Sequence, residues 1–142
     1  VSVLVELADA IVTSLNSGAF SVPFQAVRGY RPAVELKDLE ALQVTVVPKA
    51  LTISAATRSS SYFDGVIDVA VQQKVDADKL ADLDALMALV QEIADHLRNR
   101  RLEGQPAAVC TTIENDPVFA PEHLEQHRVF TSLLTVTYRV QR

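Results

Sequence analysis

The chain predicts an α+β fold, an antiparallel or mixed β-sheet with two amphipathic helices packed on one face. Three observations carry this reading. Two segments repeat their apolar residues at helical spacing, and most of the strand-like segments fall between them. Those strand-like segments carry the Val, Ile, Thr and aromatic content of β structure, and several alternate apolar with polar residues. The order is helix, strand, strand, hairpin, helix, strand, strand, without the regular strand–helix alternation that builds a doubly wound parallel sheet. With 142 residues, 49% of them hydrophobic and 22% charged, the chain is expected to form a single α+β domain over residues 1–142 around one continuous core.

Leu4, Leu7, Ala8, Ile11 and Leu15 place a helix over residues 2–16, and Gly18 supplies the left-handed residue that ends it. Residues 20–27 read as a strand, which Pro23 assigns to an edge or a bulge. Arg28, Gly29, Tyr30, Arg31 and Pro32 form a turn, and a polar crossing follows. Residues 43–47 are the next strand, closed by Pro48. Residues 51–57 and 66–72 pair as a hairpin, with a long polar tip from Arg58 to Gly65 in which the glycine reverses the chain. Ile67, Val69 and Val71 point to one face, and Asp68, Ala70 and Gln72 to a wet one.

Residues 76–101 give the clearest helix. Leu80, Leu83, Met87, Val90, Ala94 and Leu97 recur three and four apart, and Leu86, Leu89 and Ile93 widen the stripe. Leu83, Met87 and Val90 are expected to be buried against the sheet, so that Leu83→Ala or Leu86→Ala costs about 2–5 kcal/mol. Asp76, Asp78, Asp82 and Asp84 lie toward its N-terminal end and Arg98, Arg100 and Arg101 toward its C-terminal end, as the helix dipole favours. Residues 107–113 form a short strand and the loop after it carries two prolines. From His127 onward runs the longest strand, with Phe130, Leu134, Val136, Tyr138 and Val140 on one face.

The formal net charge of -5 argues against a tight grip on nucleic acid, which demands clustered Lys and Arg. No stretch is apolar enough to span a bilayer, and residues 1–6 lack the basic start of a signal peptide, so the cytoplasm is the expected compartment. The single Cys110 lies in an apolar-leaning run and is read as a small buried hydrophobe. No residue pattern carries chemistry. His123 and His127 are four apart, but Leu124 stands where a zinc protease needs glutamate, so the segment is read as a solvated polar loop without metal. His96 is read as a surface residue of the second helix. Ser59, Ser60 and Ser61 have no histidine or carboxylate placed beside them by a motif, and the four glycines are too scattered to cradle phosphate. No catalytic residue, metal or cofactor is therefore expected, and the working parts are expected to be surfaces. Arg28, Tyr30 and Arg31 make a small basic-aromatic loop suited to a partner. Arg58, Tyr62 and Phe63 mark the hairpin tip, whose two aromatics are expected to anchor a neighbouring subunit without supporting the fold.

The chain resembles the tail terminator (tail-completion) proteins of long-tailed bacteriophages and prophages. The resemblance lies in the N-terminal helix ending at Asn16, Ser17 and Gly18, and in Arg28 to Pro32 before the Val-rich strand at Val44. It continues through the hairpin segment Val66 to Val71, the helix after Asp76 and the C-terminal strand from Leu133 to Val140. It implies a structural, non-enzymatic subunit of a hexameric ring in the virion neck, assembled in the host cytoplasm. Such a ring caps the tail tube, docks onto a head-completion or connector protein, and lets DNA pass through its lumen without specific binding. A neighbouring neck protein, an adaptor or head-closure subunit, is the alternative within the virion. A small cytoplasmic α+β enzyme or ligand-binding domain is the alternative outside it.

Overall fold

Seven elements arise in order in the computed structural model, which describes residues 2–30, 41–75, 80–102, 104–116, 121, 122, 124 and 128–142. They are α1 (Val3–Ser17), β1 (Ala26–Arg28), β2 (Gln43–Ala55), β3 (Ser61–Lys74), α2 (Leu80–Asn99), β4 (Val109–Asn115) and β5 (Val129–Gln141). The strands form one sheet in the order β1-β2-β3-β5-β4, parallel only between β1 and β2. The fold is α+β with a mixed sheet.

Period-two alternation decides which face is buried. Val44, Val46, Ile67, Val69, Val71, Leu134, Val136 and Tyr138 share one face through their cross-strand pairing, and all are buried in one core cluster. Both helices cover that face, α1 over β1, β2 and β3 and α2 over β4 and β5. Ser2 caps α1, its hydroxyl accepting from the Val5 N–H at 3.4 Å. Leu7, Ala8, Ile11 and Leu15 are buried, as their spacing predicts.

Several elements depart from the sequence expectation. The residue ending α1, Gly18, is extended (φ -81°, ψ 158°), not left-handed. Space is what it supplies, since a Cβ there would lie 2.7 Å from the Phe20 ring and 2.9 Å from His96 Cε1. The first strand begins only at Ala26: Phe20, Val22 and Phe24 alternate inward against the core as a strand would, but the ladder to β2 starts only where Ala26 pairs with Val44. Asn16 fixes that start. Its side chain donates to the Ala26 carbonyl at 3.1 Å and accepts from the Ala26 N–H at 2.7 Å. Asn16→Ala would leave a buried N–H unpaired at Ala26, so it is expected to cost about 1–3 kcal/mol in urea unfolding.

Pro48 does not close the second strand. β2 runs through it with a bulge between Pro48 and Ala50. On the other side β1 pairs only as far as Val46, whose carbonyl also accepts from the Gly29 N–H, so the proline's missing donor falls where the ladder has already ended. The hairpin turn is accordingly short, residues 56–60, and Gly65 lies inside β3. The wet face of β3 is drier than alternation predicts, because Ala70 and Gln72 are buried where they pair with Thr45 and Leu133, and with Gln43 and Thr131.

The apolar stripe of α2 is rotated from the expected seam. Leu86, Leu89, Val90, Ile93 and Leu97 are buried, Leu83 and Ala94 are partly buried, and Leu80 and Met87 are 71% and 40% exposed. Met87 sits about 100° around the helix from Leu86. The three-and-four spacing describes a narrow seam, whereas a helix laid on β5 and β4 and flanked by α1 buries the broader face. Asp76 and Asp78, part of the expected acidic start, lie outside the described residues.

His96 is no plain surface residue. Its Nε2 lies 3.0 Å from both the hydroxyl and the carbonyl oxygen of Ser14, and its ring packs 5.3 Å from that of Phe20. Burial pushes its pKa below 6.5, against the hydrogen bond the ring donates to the Ser14 carbonyl and with a smaller push from the charge of Arg100. The folded state therefore prefers the neutral ring. The stabilisation is present above pH 6.5 and is lost as pH falls through the lower folded-state value. Melting temperature is expected to fall more steeply between pH 7 and pH 5 in the wild type than in His96→Gln.

Candidate interaction surface

The residues singled out by sequence fall on two separate parts of the sheet. Arg28 ends β1 beside Val46, whereas Tyr62 lies in β3 opposite Ser54, eight residues further along β2 or roughly 25 Å of extended chain. The Arg28 guanidinium donates from Nε to Asp9 Oδ1 at 2.6 Å and from Nη1 to the Tyr30 hydroxyl at 3.3 Å. Its carbon lies 5.6 Å from the centroid of the Tyr30 ring. The bonds to Tyr30 and to Asp9 hold its pKa above the ordinary arginine value. Tyr30 itself is 77% exposed, an amphipathic ring held out by the arginine beneath it. Arg31 lies outside the described residues.

At the hairpin end the expected pair of tip aromatics is divided. Tyr62 and Phe63 are consecutive residues of β3, so they point to opposite faces. Phe63 packs against the core on the helix face, across from Ile53 and Val140, and so it supports the fold. Tyr62 lies on the outer face under the Arg139 guanidinium, 4.4 Å from its ring centroid. Arg139 donates from Nε and Nη2 to the two carboxylate oxygens of Asp64, at 2.8 and 3.1 Å. That hydrogen bond holds the Asp64 carboxyl below its usual range. Arg58 stands in the exposed turn, where Thr57 and Ser60 bond to each other.

Sequence reasoning missed two features of this end. The cross-strand trio of Tyr62, Asp64 and Arg139 joins residues far apart in the chain, and its one local signal is Arg139 as the sole charge in β5. The second is the outer half of β2, residues 49–55, all exposed, with Leu51 and Ile53 40% and 56% exposed. Alternation of Leu51, Thr52 and Ile53 marked the strand, but nothing local told that its neighbour β1 would stop short.

The chemistry-bearing groups are dispersed. Among the described residues no three His, Cys, Asp or Glu side chains gather as metal ligands. His123, Glu125 and His127 lie outside them, while Pro121, Glu122 and Leu124 are helical. Burial pushes the half-buried Cys110 thiol above its ordinary pKa, the opposite of what a nucleophile requires. The Tyr138 hydroxyl, raised by burial in the same way, donates to the Leu97 carbonyl at 3.4 Å. No helix among the described residues is long and apolar enough to cross a membrane. No protein-family model matches this chain, and no curated protein matches it.

Proposed function

We propose that this chain is a structural subunit of a long-tailed phage neck, a tail terminator. In this reading copies assemble into a hexameric ring that caps the tail tube and meets the head-completion or connector protein. The observation that carries the reading is the long β2–β3 hairpin, whose outer half extends past β1 as an exposed, apolar strand edge. Such an edge is a template for another chain. Arg28 and Tyr30 at one end, with Arg58 and Tyr62 at the other, supply basic and aromatic contacts to tube or neighbour. The net charge of -5 suits a lumen through which DNA slides without being held.

Electron microscopy of the purified protein, alone and mixed with tail tubes, tests the proposal. Rings at tube ends are the expected result. A monomer in both samples, with bare tube ends, overturns it. Chelator is expected to leave assembly and melting temperature unchanged; stoichiometric zinc lost with activity in His123→Ala would favour an enzyme instead.

A further inference from the structure

We propose that neighbouring copies join by strand addition. The open edge of β2 at residues 49–55 pairs antiparallel with the open edge of β4, Val109–Asn115, of the next copy. One sheet then runs from subunit to subunit. The inference rests on the ring reading above and assigns its contact surface.

The two ends of the sheet carry it. On one side, among the described residues, β1 covers β2 only from Val44 to Val46. Beyond the bulge, β2 pairs with β3 in unbroken register from Ala50 to Ala55, leaving a straight outer edge with one charge, Lys49, and no proline. Bulges, inward charges and prolines are the usual protection of such edges, and this one has none past Ala50. On the other side β4 pairs only with β5 among the described residues, with Val109 60% exposed; its register shifts between Cys110 and Thr112, so Thr112–Asn115 is the regular stretch that takes up the pairing. The two segments are alike in length, seven residues each.

Strand direction selects the pairing. β2, β3, β5 and β4 alternate in direction across the sheet. A next copy in the same orientation therefore sets its β4 antiparallel to β2 and continues the alternation. Pairing two β2 edges would require one copy to be turned over, which closes as a dimer; unlike edges joined head to tail can close as a ring.

Face and charge select the register. Leu51 pairs with Gly65, whose missing side chain faces Leu4 and Leu7 of α1, so Leu51 is on the helix face. Ile113 pairs with the buried Val136 and shares that face. Leu51 opposite Ile113 of the next copy keeps apolar against apolar and brings Glu114 and Asp116 alongside Lys49. The Lys49 ammonium reaches the outer face, 4.0 Å from Asp68, and Glu114, paired with Thr135, faces outward too. Opposite charges meet on one face and apolar side chains on the other.

Two variants test the pairing by sedimentation of the full chain. Ile53→Lys damages only the β2 edge, and Val109→Lys with Glu114→Lys damages only the β4 edge. Each alone is expected to lose about tenfold or more in association, with wild-type circular dichroism and melting temperature. Mixed, they should form a one-to-one pair, since each keeps the edge that the other lacks. Assembly of unchanged size in either variant overturns strand addition and leaves the ring reading standing. Loss in Ile53→Lys alone assigns the contact to two β2 edges and overturns the head-to-tail pairing. A wild type that stays monomeric on tail tubes overturns both readings. Should a variant misfold, the charge swap decides: Lys49→Glu and Glu114→Lys each weaken association and together restore it, and failure of the pair to restore it rejects the register.

Discussion

Leu89→Ala is expected to lower unfolding free energy by about 2–5 kcal/mol, and Met87→Ala, two residues away, by less than about 0.5 kcal/mol. Leu89 is fully buried and packs within the core cluster, so truncation removes buried methyl groups and leaves a cavity that the sheet beneath cannot fill by collapse. Met87 is 40% exposed on the flank of α2 and loses little burial. Leu83→Ala falls between the two, because Leu83 is only partly buried. Urea denaturation of the three variants checks the order. Equal losses at positions 87 and 89 would place the helix at a different rotation.

Gly65→Val is the second large effect, expected to cost about 1–3 kcal/mol through overpacking. A Cβ at this position would lie 2.9 Å from Leu7 Cδ1 and 3.1 Å from Leu4 Cδ1. Both contacts are ends of flexible side chains, so alanine can be admitted by small rotations. It also removes the entropic penalty of glycine in a strand, about 0.5–1 kcal/mol, and Gly65→Ala should be close to neutral. Valine adds two branches that α1 cannot avoid without lifting from β3. Leu7→Ala in the Gly65→Val background opens the needed room. The double variant should therefore be less unstable than the sum of the singles, and strict additivity would show that α1 does not press on Gly65.

The helices and the alternation of the central strands were legible because they follow from local periodicity. Leu7, Ile11 and Leu15 fix the inner face of α1, and Leu134, Val136 and Tyr138 that of β5, whatever lies opposite. The errors share a different cause. Pro48 reads as a strand end unless one knows that β1 stops at Arg28. Gly65 reads as a turn residue unless one knows that α1 crosses above it. His96 reads as exposed unless Ser14, distant in sequence, is seen beneath it. The rotation of α2 depends on which surface receives it. Of the six surface residues proposed from sequence, Tyr30 and Arg58 are exposed, Arg28 is braced by Asp9 and Arg31 lies outside the described residues; Tyr62 and Phe63 parted because the strand begins at Ser61, earlier than their polar surroundings suggested.

The position of β5 governs the order of folding. It sits between β3 and β4 and pairs with β3 continuously from Val129 to Gln141, yet it is the last element of the seven. The β2–β3 hairpin can form locally, whereas the β3–β5 ladder must close a long intervening loop that includes α2. Such non-local pairing places folding on the slower side, roughly milliseconds to seconds. On the ribosome the nascent chain therefore carries a β3 with one bare side until β5 has emerged. During that interval β3 is exposed to mispairing with other nascent copies, and the sheet acquires its two permanent edges only when β5 fills the gap.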